Sequence, residues 1–399
     1  MGVLSLRRLF GGLPPEFYVV SFSGFMFHMG TSVTVPILTL HMQGVGASVF
    51  QIGTILSMQA LLLTVLRLPL TLLARRVGEK KMLSMAFIAQ AAAQMLMGWA
   101  PTPRWFYAAP VMQIIATGTF FQLATALNSN LAPLERQGEA MGRHMTIMSA
   151  ATFIGPALCS LIVNSLGYRC VFFVSSLFPL IGLLLFFGFT LGVKTEGIEV
   201  PRHETPSLGS MRKLFGSRNV VALTIIRTLY STSNNTSSTL FSLYAVNTLG
   251  FDPASVALLF SVMGVANTAV KVPAGAVSDR VGGKKMLLAT FSTIVLVYIT
   301  LSFARVYPLV AAAVVVFGAT WGTRATVEWA FLARLVEPEV KNIAVSYMES
   351  FWDLGSALGS FLAGALSGFL PMPTIYLLLA GMNVPALPAI LMMEEEDHD

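Results

Sequence analysis

Charge is scarce in this chain. Asp, Glu, Lys and Arg together make up 11% of 399 residues, while 55% are hydrophobic; soluble proteins carry roughly a quarter of their residues as charges. A water-soluble domain is therefore excluded. Cysteine is scarcer still, with only Cys159 and Cys170, near the outer ends of spans 5 and 6; they read as two isolated buried thiols, with a disulfide between them as the alternative. No glycine-rich phosphate loop is present, which excludes a nucleotide-driven pump. No nucleophile–base set or metal-ligand cluster is present either, so the chain is not expected to be an enzyme or to hold a cofactor, although a proton gradient can still drive it. A separate cleavable leader is not expected, because Arg7 and Arg8 precede an apolar run too long and continuous for one.

Long apolar stretches are abundant. A helix needs about twenty apolar residues to cross roughly 30 Å of hydrocarbon, and twelve such spans are expected at 16–42, 48–74, 82–100, 104–131, 141–166, 170–193, 219–248, 254–277, 286–304, 307–333, 343–369 and 373–393. With this map, eighteen of the 25 Lys and Arg residues fall on one side, three (Arg104, Arg169, Arg305) on the other and four inside spans. Basic residues mark the cytoplasmic side, so both termini are expected there, in a plasma membrane or a bacterial inner membrane. The net charge of +6 then reflects topology and implies no nucleic-acid partner. The expected partners are the lipid bilayer and a small-molecule substrate, with a monomer as the working unit.

The chain also repeats itself about 204 residues apart. Thr64, Arg67, Pro69, Arg76, Val77, Gly78, Lys80, Lys81, Met82 and Leu83 correspond to Thr268, Lys271, Pro273, Arg280, Val281, Gly282, Lys284, Lys285, Met286 and Leu287. Duplicated helical halves are a feature of secondary transporters. The one long hydrophilic stretch lies at the midpoint. It divides the sequence into a six-helix bundle at 1–193, a cytoplasmic linker at 194–218 with a short amphipathic helix near Leu208–Phe215, and a second bundle at 219–399. The acidic end, Glu394 to Asp399, reads as a solvated tail.

These residues resemble the major facilitator superfamily. Its loop between helices 2 and 3 follows G-x-x-x-D-R-x-G-R-K, and the second copy here is the fuller one, with Gly275, Asp279, Arg280, Gly282, Lys284 and Lys285. The first copy keeps Arg76, Gly78, Lys80 and Lys81 but has Thr71 and Arg75 in place of the glycine and aspartate. Pro133, Arg136, Gly138, Ala140 and Gly142, then the helix-5 kink Gly155-Pro156, are similar to the P-x-x-R-x-G-x-A-x-G segment and Gly-Pro kink of drug:proton antiporters; Pro338, Lys341 and Ala344 repeat it weakly. The resemblance implies an all-α membrane fold of twelve helices in two pseudo-symmetric six-helix bundles, with helices 1, 4, 7 and 10 lining a central cavity. It also implies a cytoplasmic gate built from Arg76, Gly78, Lys80, Asp279, Arg280, Gly282 and Lys284, joined by Glu328 and Arg334 from helix 10.

Ionisable residues inside spans cost roughly 2.5–3.5 kcal/mol each at a helix centre, so each asks for a partner or a role. Glu349 and Asp353 lie one turn apart in span 11 with Asp353 near the midplane, and two neighbouring carboxylates are candidates for proton coupling. Arg227 or Arg324 neutralising them is the alternative. Span 7 carries the polar run Tyr230-Ser-Thr-Ser-Asn-Asn-Thr-Ser-Ser-Thr239. Its Asn234 and Asn235, with His28, Gln113, Gln122, Trp321, Arg227 and Arg324, are the candidate cavity residues. Two arginines and a histidine favour an anionic or polar solute; Met- and Phe-rich walls and the Gly-Pro kink favour export of amphiphilic compounds. The reading is secondary transport by alternating access, proton-coupled efflux first and uptake of a polar or anionic metabolite second. A non-transporting membrane sensor of the same fold is the reading from another class.

Overall fold

The computed structural model describes residues 13–133, 136–190, 216–336 and 340–393, without the side chains at 67, 68, 71, 72, 75, 189, 190, 341 and 342. Most of the linker, the helix at Leu208–Phe215, the acidic tail, Arg7, Arg8 and Pro338 lie outside the described residues, as do the side chains of Arg67, Thr71, Arg75 and Lys341.

The elements are α1 (Pro15–Ser32), α2 (Leu38–Gly44), α3 (Val49–Val77), α4 (Glu79–Trp99), a 3-10 turn (Pro103–Tyr107), α5 (Ala109–Leu131), α6 (Gln137–Ser149) and α7 (Ala151–Thr190). They continue with α8 (Arg218–Leu243), a π turn (Tyr244–Thr248), α9 (Pro253–Val281), α10 (Gly283–Phe303), α11 (Tyr307–Leu335), α12 (Lys341–Leu366), α13 (Met372–Asn383) and α14 (Ala386–Leu391). No strand occurs among the described residues. The α7 element is two helices joined at Gly167, whose φ of 74° and ψ of 169° break the run where spans 5 and 6 were expected to part.

Among the described residues eight stretches are long and apolar enough to cross a membrane, and one of them, Gln137–Gly188, runs through two expected spans. Helices α1, α8 and α12 are not among the eight. Of these, α8 carries the polar run and α12 carries Glu349 and Asp353. Weak hydropathy there marks helices buried for chemistry more than for lipid contact.

The sequence repeat is a repeat of geometry. Helices α3 and α9 are each 29 residues long and α4 and α10 each 21. Both α3 and α9 start from a side-chain cap at matching positions. Ser48 Oγ accepts from the Gln51 amide at 3.2 Å while Gln51 Oε1 accepts from the Ser48 amide at 3.0 Å. In the second copy Asp252 accepts from the Ser255 amide at 3.0 Å. These contacts satisfy amide donors that the first turn leaves free.

The turn that follows is also duplicated, with Gly78 at φ 97°, ψ 136° and Gly282 at φ 94°, ψ 139°. No atom lies within 4 Å of a Cβ added at either, so the requirement for glycine is purely conformational. Gly282→Ala is expected to cost about 1–2 kcal/mol and Gly78→Ala the same. A Gly44→Ala control, in equally open space without a positive φ, should leave thermal unfolding unchanged.

By contacts the chain forms two compact units, Met1–Val45 with Val65–Arg202, and Gly46–Thr64 with His203–Asp399. The first half of α3 therefore groups with the second unit, where the Phe50 and Phe361 rings meet at 6.1 Å. Each unit has its own apolar core. Phe27, Phe87 and Phe120 anchor the first, with Phe27 and Phe120 stacked at 3.8 Å. Tyr230, Phe291, Phe317 and Tyr298 stand in the second.

Candidate functional site

In the second unit α8 and α12 lie unusually close. A Cβ on Gly359 would sit 2.2 Å from the Thr232 carbonyl oxygen, and one on Gly355 would sit 2.8 Å from Ser231 Cβ. The seam is hydrogen-bonded as well: Thr236 donates to the Gly359 carbonyl at 2.8 Å and Ser231 to the Trp352 carbonyl at 2.6 Å. Much of the polar run is spent this way or on its own helix. Thr232 donates to Thr228, Ser233 to Tyr230, and Asn235 to Ser231 carbonyls. Such back-bonding satisfies hydroxyls and amides without water. The run is thus first a packing seam, with Asn234 buried in it and Asn235 half-buried.

Close approach brings α8, α11 and α12 to one buried ion cluster. Arg227 Nη1 bonds Glu328 Oε2 at 3.1 Å, its Nη2 bonds Glu349 Oε1 at 2.5 Å, and its Nε donates to the Met348 carbonyl at 2.9 Å. Arg324 bonds the same Glu328 oxygen from one turn away on α11. Aromatic rings wall the guanidiniums. Arg227 lies 4.7 Å from the Trp329 ring centroid and 5.4 Å from that of Trp352; Arg324 lies 4.1 Å from Tyr230 and 5.2 Å from Trp352. Each such contact contributes about 0.5–2 kcal/mol depending on desolvation.

The four members differ in exposure. The Glu328, Arg324 and Arg227 side chains are 0%, 2% and 4% exposed, whereas Glu349 is 32% exposed. Glu328 is therefore a fixed counter-ion shared by two cations, and Glu349 is the member that open space reaches. Asp353, one turn further along α12, is buried. Trp321 is half-buried against the core of the unit.

This corrects one expectation. Glu328 was grouped with Arg334 in the cytoplasmic gate, but its carboxylate turns inward to the two arginines. Arg334 bonds Asp279 at 2.5 Å instead, with both side chains largely solvated. That pair joins α9 to α11. Exposed pairs contribute about 0–1 kcal/mol, so Asp279→Asn is expected to leave the thermal stability of the purified chain within that range. Lys284 Nζ bonds the Met393 carbonyl at 2.6 Å, tying α10 to the end of α14. Arg76 and Arg280 are exposed and Lys80 is half-buried.

The first unit carries a neutral counterpart. Asn128 Nδ2 donates to His144 Nδ1 at 2.6 Å and to Ser21 Oγ at 3.0 Å, where α1, α5 and α6 meet. Further along α1, Gln90 donates to Thr31 at 2.7 Å, and Thr34 and Ser175 both donate to Gln94 at 3.3 Å. His28 packs edge-on against Phe27 and Phe120. Gln113 is buried and Gln122 is exposed on α5. Gly155, expected at a helix-5 kink, matches Gly359 in the repeat, and a Cβ there would sit 2.6 Å from Ser32 Cβ on α1. Cys159 and Cys170 are both free thiols.

Sequence reasoning missed Trp329, Trp352 and His144. The tryptophans had a signal: each is adjacent to an intramembrane carboxylate, in Glu328-Trp329 and Trp352-Asp353. Among the described residues no group of His, Cys, Asp and Glu is placed to hold a metal.

A family model described as Major Facilitator Superfamily matches residues 20–231 and 223–399. Multidrug resistance protein MdtG of Salmonella typhimurium is 25% identical over 315 residues, spanning 78% of this chain and 77% of that protein, and its namesake in Salmonella newport matches to the same extent. Among solved structures, the nucleoside transporter NupG superposes with a TM-score of 0.76 at 12% identity, covering 95% of this chain and 99% of that one. A bacterial homologue of the lysosomal transporter Spinster, inward-facing and unoccupied, gives 0.73 at 12% identity over 94% of both chains. At these identities the structural likenesses carry the fold alone.

Proposed function

This chain belongs to the major facilitator superfamily, and from that premise we propose that it carries a small solute across the plasma membrane by alternating access, coupled to protons and in the export direction. Both termini are assigned to the cytoplasm, in the inner membrane if the source is bacterial. The observation that carries the reading is the buried cluster of Arg227, Arg324, Glu328 and Glu349 with Asp353 beside it. Charges kept in a membrane-spanning segment at this cost have a role in moving ions or substrate. Glu349 and Asp353 are the proposed proton carriers, since one is open to protons and the other lies deep on the same helix. Export is supported by the name of the MdtG relatives. A second reading, uptake of a polar or anionic metabolite, is favoured by the two buried guanidiniums.

The test is flux in proteoliposomes holding the full chain, with an imposed pH gradient. Asp353→Asn is expected to abolish gradient-driven accumulation while sparing substrate exchange, and Glu349→Gln to flatten the dependence on external pH. Unchanged accumulation in both variants would remove proton coupling from α12. Binding without any flux in the native chain would favour the sensor reading.

A further inference from the structure

We infer that the solute bears an anionic group that binds Arg227 in the place now held by Glu349. The inference deepens the reading of this cluster as the transport site and rests on it. Glu328 is enclosed and bonded to both arginines through one oxygen, so it neutralises charge without being removable. Glu349 holds Arg227 by a single oxygen and has a third of its side chain open. An incoming carboxylate or sulfonate from that open side meets Arg227 as soon as Glu349 turns outward, and takes over the charge-assisted hydrogen bond from Nη2.

A second feature points the same way. Arg324 Nε is buried and has no acceptor among the described residues, and Glu328 Oε1 beside it has no donor, so the cluster holds polar atoms that its own members leave unmet. Buried donors are rarely left so without a ligand or water to take them.

The aromatic walls define the rest of the ligand and disfavour a cationic one. Trp329, Trp352 and Tyr230 already face guanidiniums, so a cation stacked on them would sit beside fixed positive charge. They remain able to pack the flat apolar body of an aromatic acid at their edges. An inside-negative membrane potential favours the exit of an anion, so such a cargo is compatible with export.

The experiment is calorimetric titration of the purified full chain with naphthalene-2-carboxylate and with its cationic match, (2-naphthyl)trimethylammonium, each also followed by tryptophan fluorescence. The carboxylate is expected to bind and to change the fluorescence of the tryptophans beside Arg227; the cation is not. Glu349→Gln removes the internal competitor and should tighten carboxylate binding about tenfold. Arg227→Gln should weaken it by about a hundredfold. If Arg227→Gln does not fold, Glu349→Gln alone decides, because an anion site gains affinity from that change and a cation site loses it. Binding of the cation that Glu349→Gln abolishes, equal carboxylate affinity in all variants, or no carboxylate binding at all would each overturn the inference. Its failure is separable from that of the transport reading. Flux of a cation with no carboxylate binding keeps transport and removes the anion; carboxylate binding without pH-driven flux does the reverse.

Discussion

Glu328→Gln is expected to end transport and to lower the unfolding free energy of the second unit by about 3–5 kcal/mol. Glutamine keeps the volume and part of the hydrogen bonding, so the loss comes from charge. Arg324 is 2% exposed and pairs with Glu328, and Arg227 would retain Glu349 and the Met348 carbonyl. Removing the counter-ion leaves a buried cation uncompensated, which costs far more than the pair itself contributes. Glu349→Gln is the control. Arg227 keeps Glu328, and Glu349 is partly solvated, so the change should fall near the 0–1 kcal/mol range of exposed pairs. Thermal unfolding of the purified variants separates the two. Equal shifts would mean that Glu328 is not the fixed centre of the cluster. A double replacement, Arg324→Met with Glu328→Met, should recover much of the stability while staying inactive, because an apolar pair of similar volume removes the desolvation cost along with the chemistry.

The fold was legible because its signals are local. Span length, basic loops and the repeat are read within about thirty residues, and Gly78 and Gly282 repeat both in sequence and in backbone angle. The break between spans 5 and 6 was legible as well, since Gly167 supplies the positive φ that ends the first helix. The site was legible only as a set of costly residues. Arg227 and Glu328 are 101 residues apart in sequence, and their pairing depends on how closely α8 approaches α12 and on the rotation of α11. Depth along a helix grouped Glu328 with Arg334, yet a helix rotates about 100° per residue, so six positions separate an inward face from a solvated one. His144 was invisible for the opposite reason. Its meaning lies in Ser21 and Asn128, which come from two other helices, and no spacing rule connects them.

The crossing that creates the site can be tested at one atom. Gly359→Ala is expected to lower stability by about 1–3 kcal/mol, the range for forced overpacking, and to abolish transport, because the new methyl group would meet the Thr232 carbonyl oxygen at 2.2 Å. Backbone cannot rotate away as a side chain can, so α8 and α12 must separate. The Thr236–Gly359 and Ser231–Trp352 hydrogen bonds would lengthen first. Arg227–Glu349 follows, since it is carried by the same two helices about one to three turns away. Gly155→Ala should act in the same way in the first unit, where the methyl group would meet Ser32; that glycine is thus the repeat partner of the α8–α12 contact. Gly275→Ala, with its nearest neighbour a Thr326 methyl at 3.6 Å, should be tolerated in both stability and flux. A disulfide-trapping series between α8 and α12 would report the spacing directly. If Gly359→Ala left that spacing and the flux unchanged, close helix approach would not be what assembles the ion cluster, and the aromatic walls on Arg227 and Arg324 would have to hold it instead.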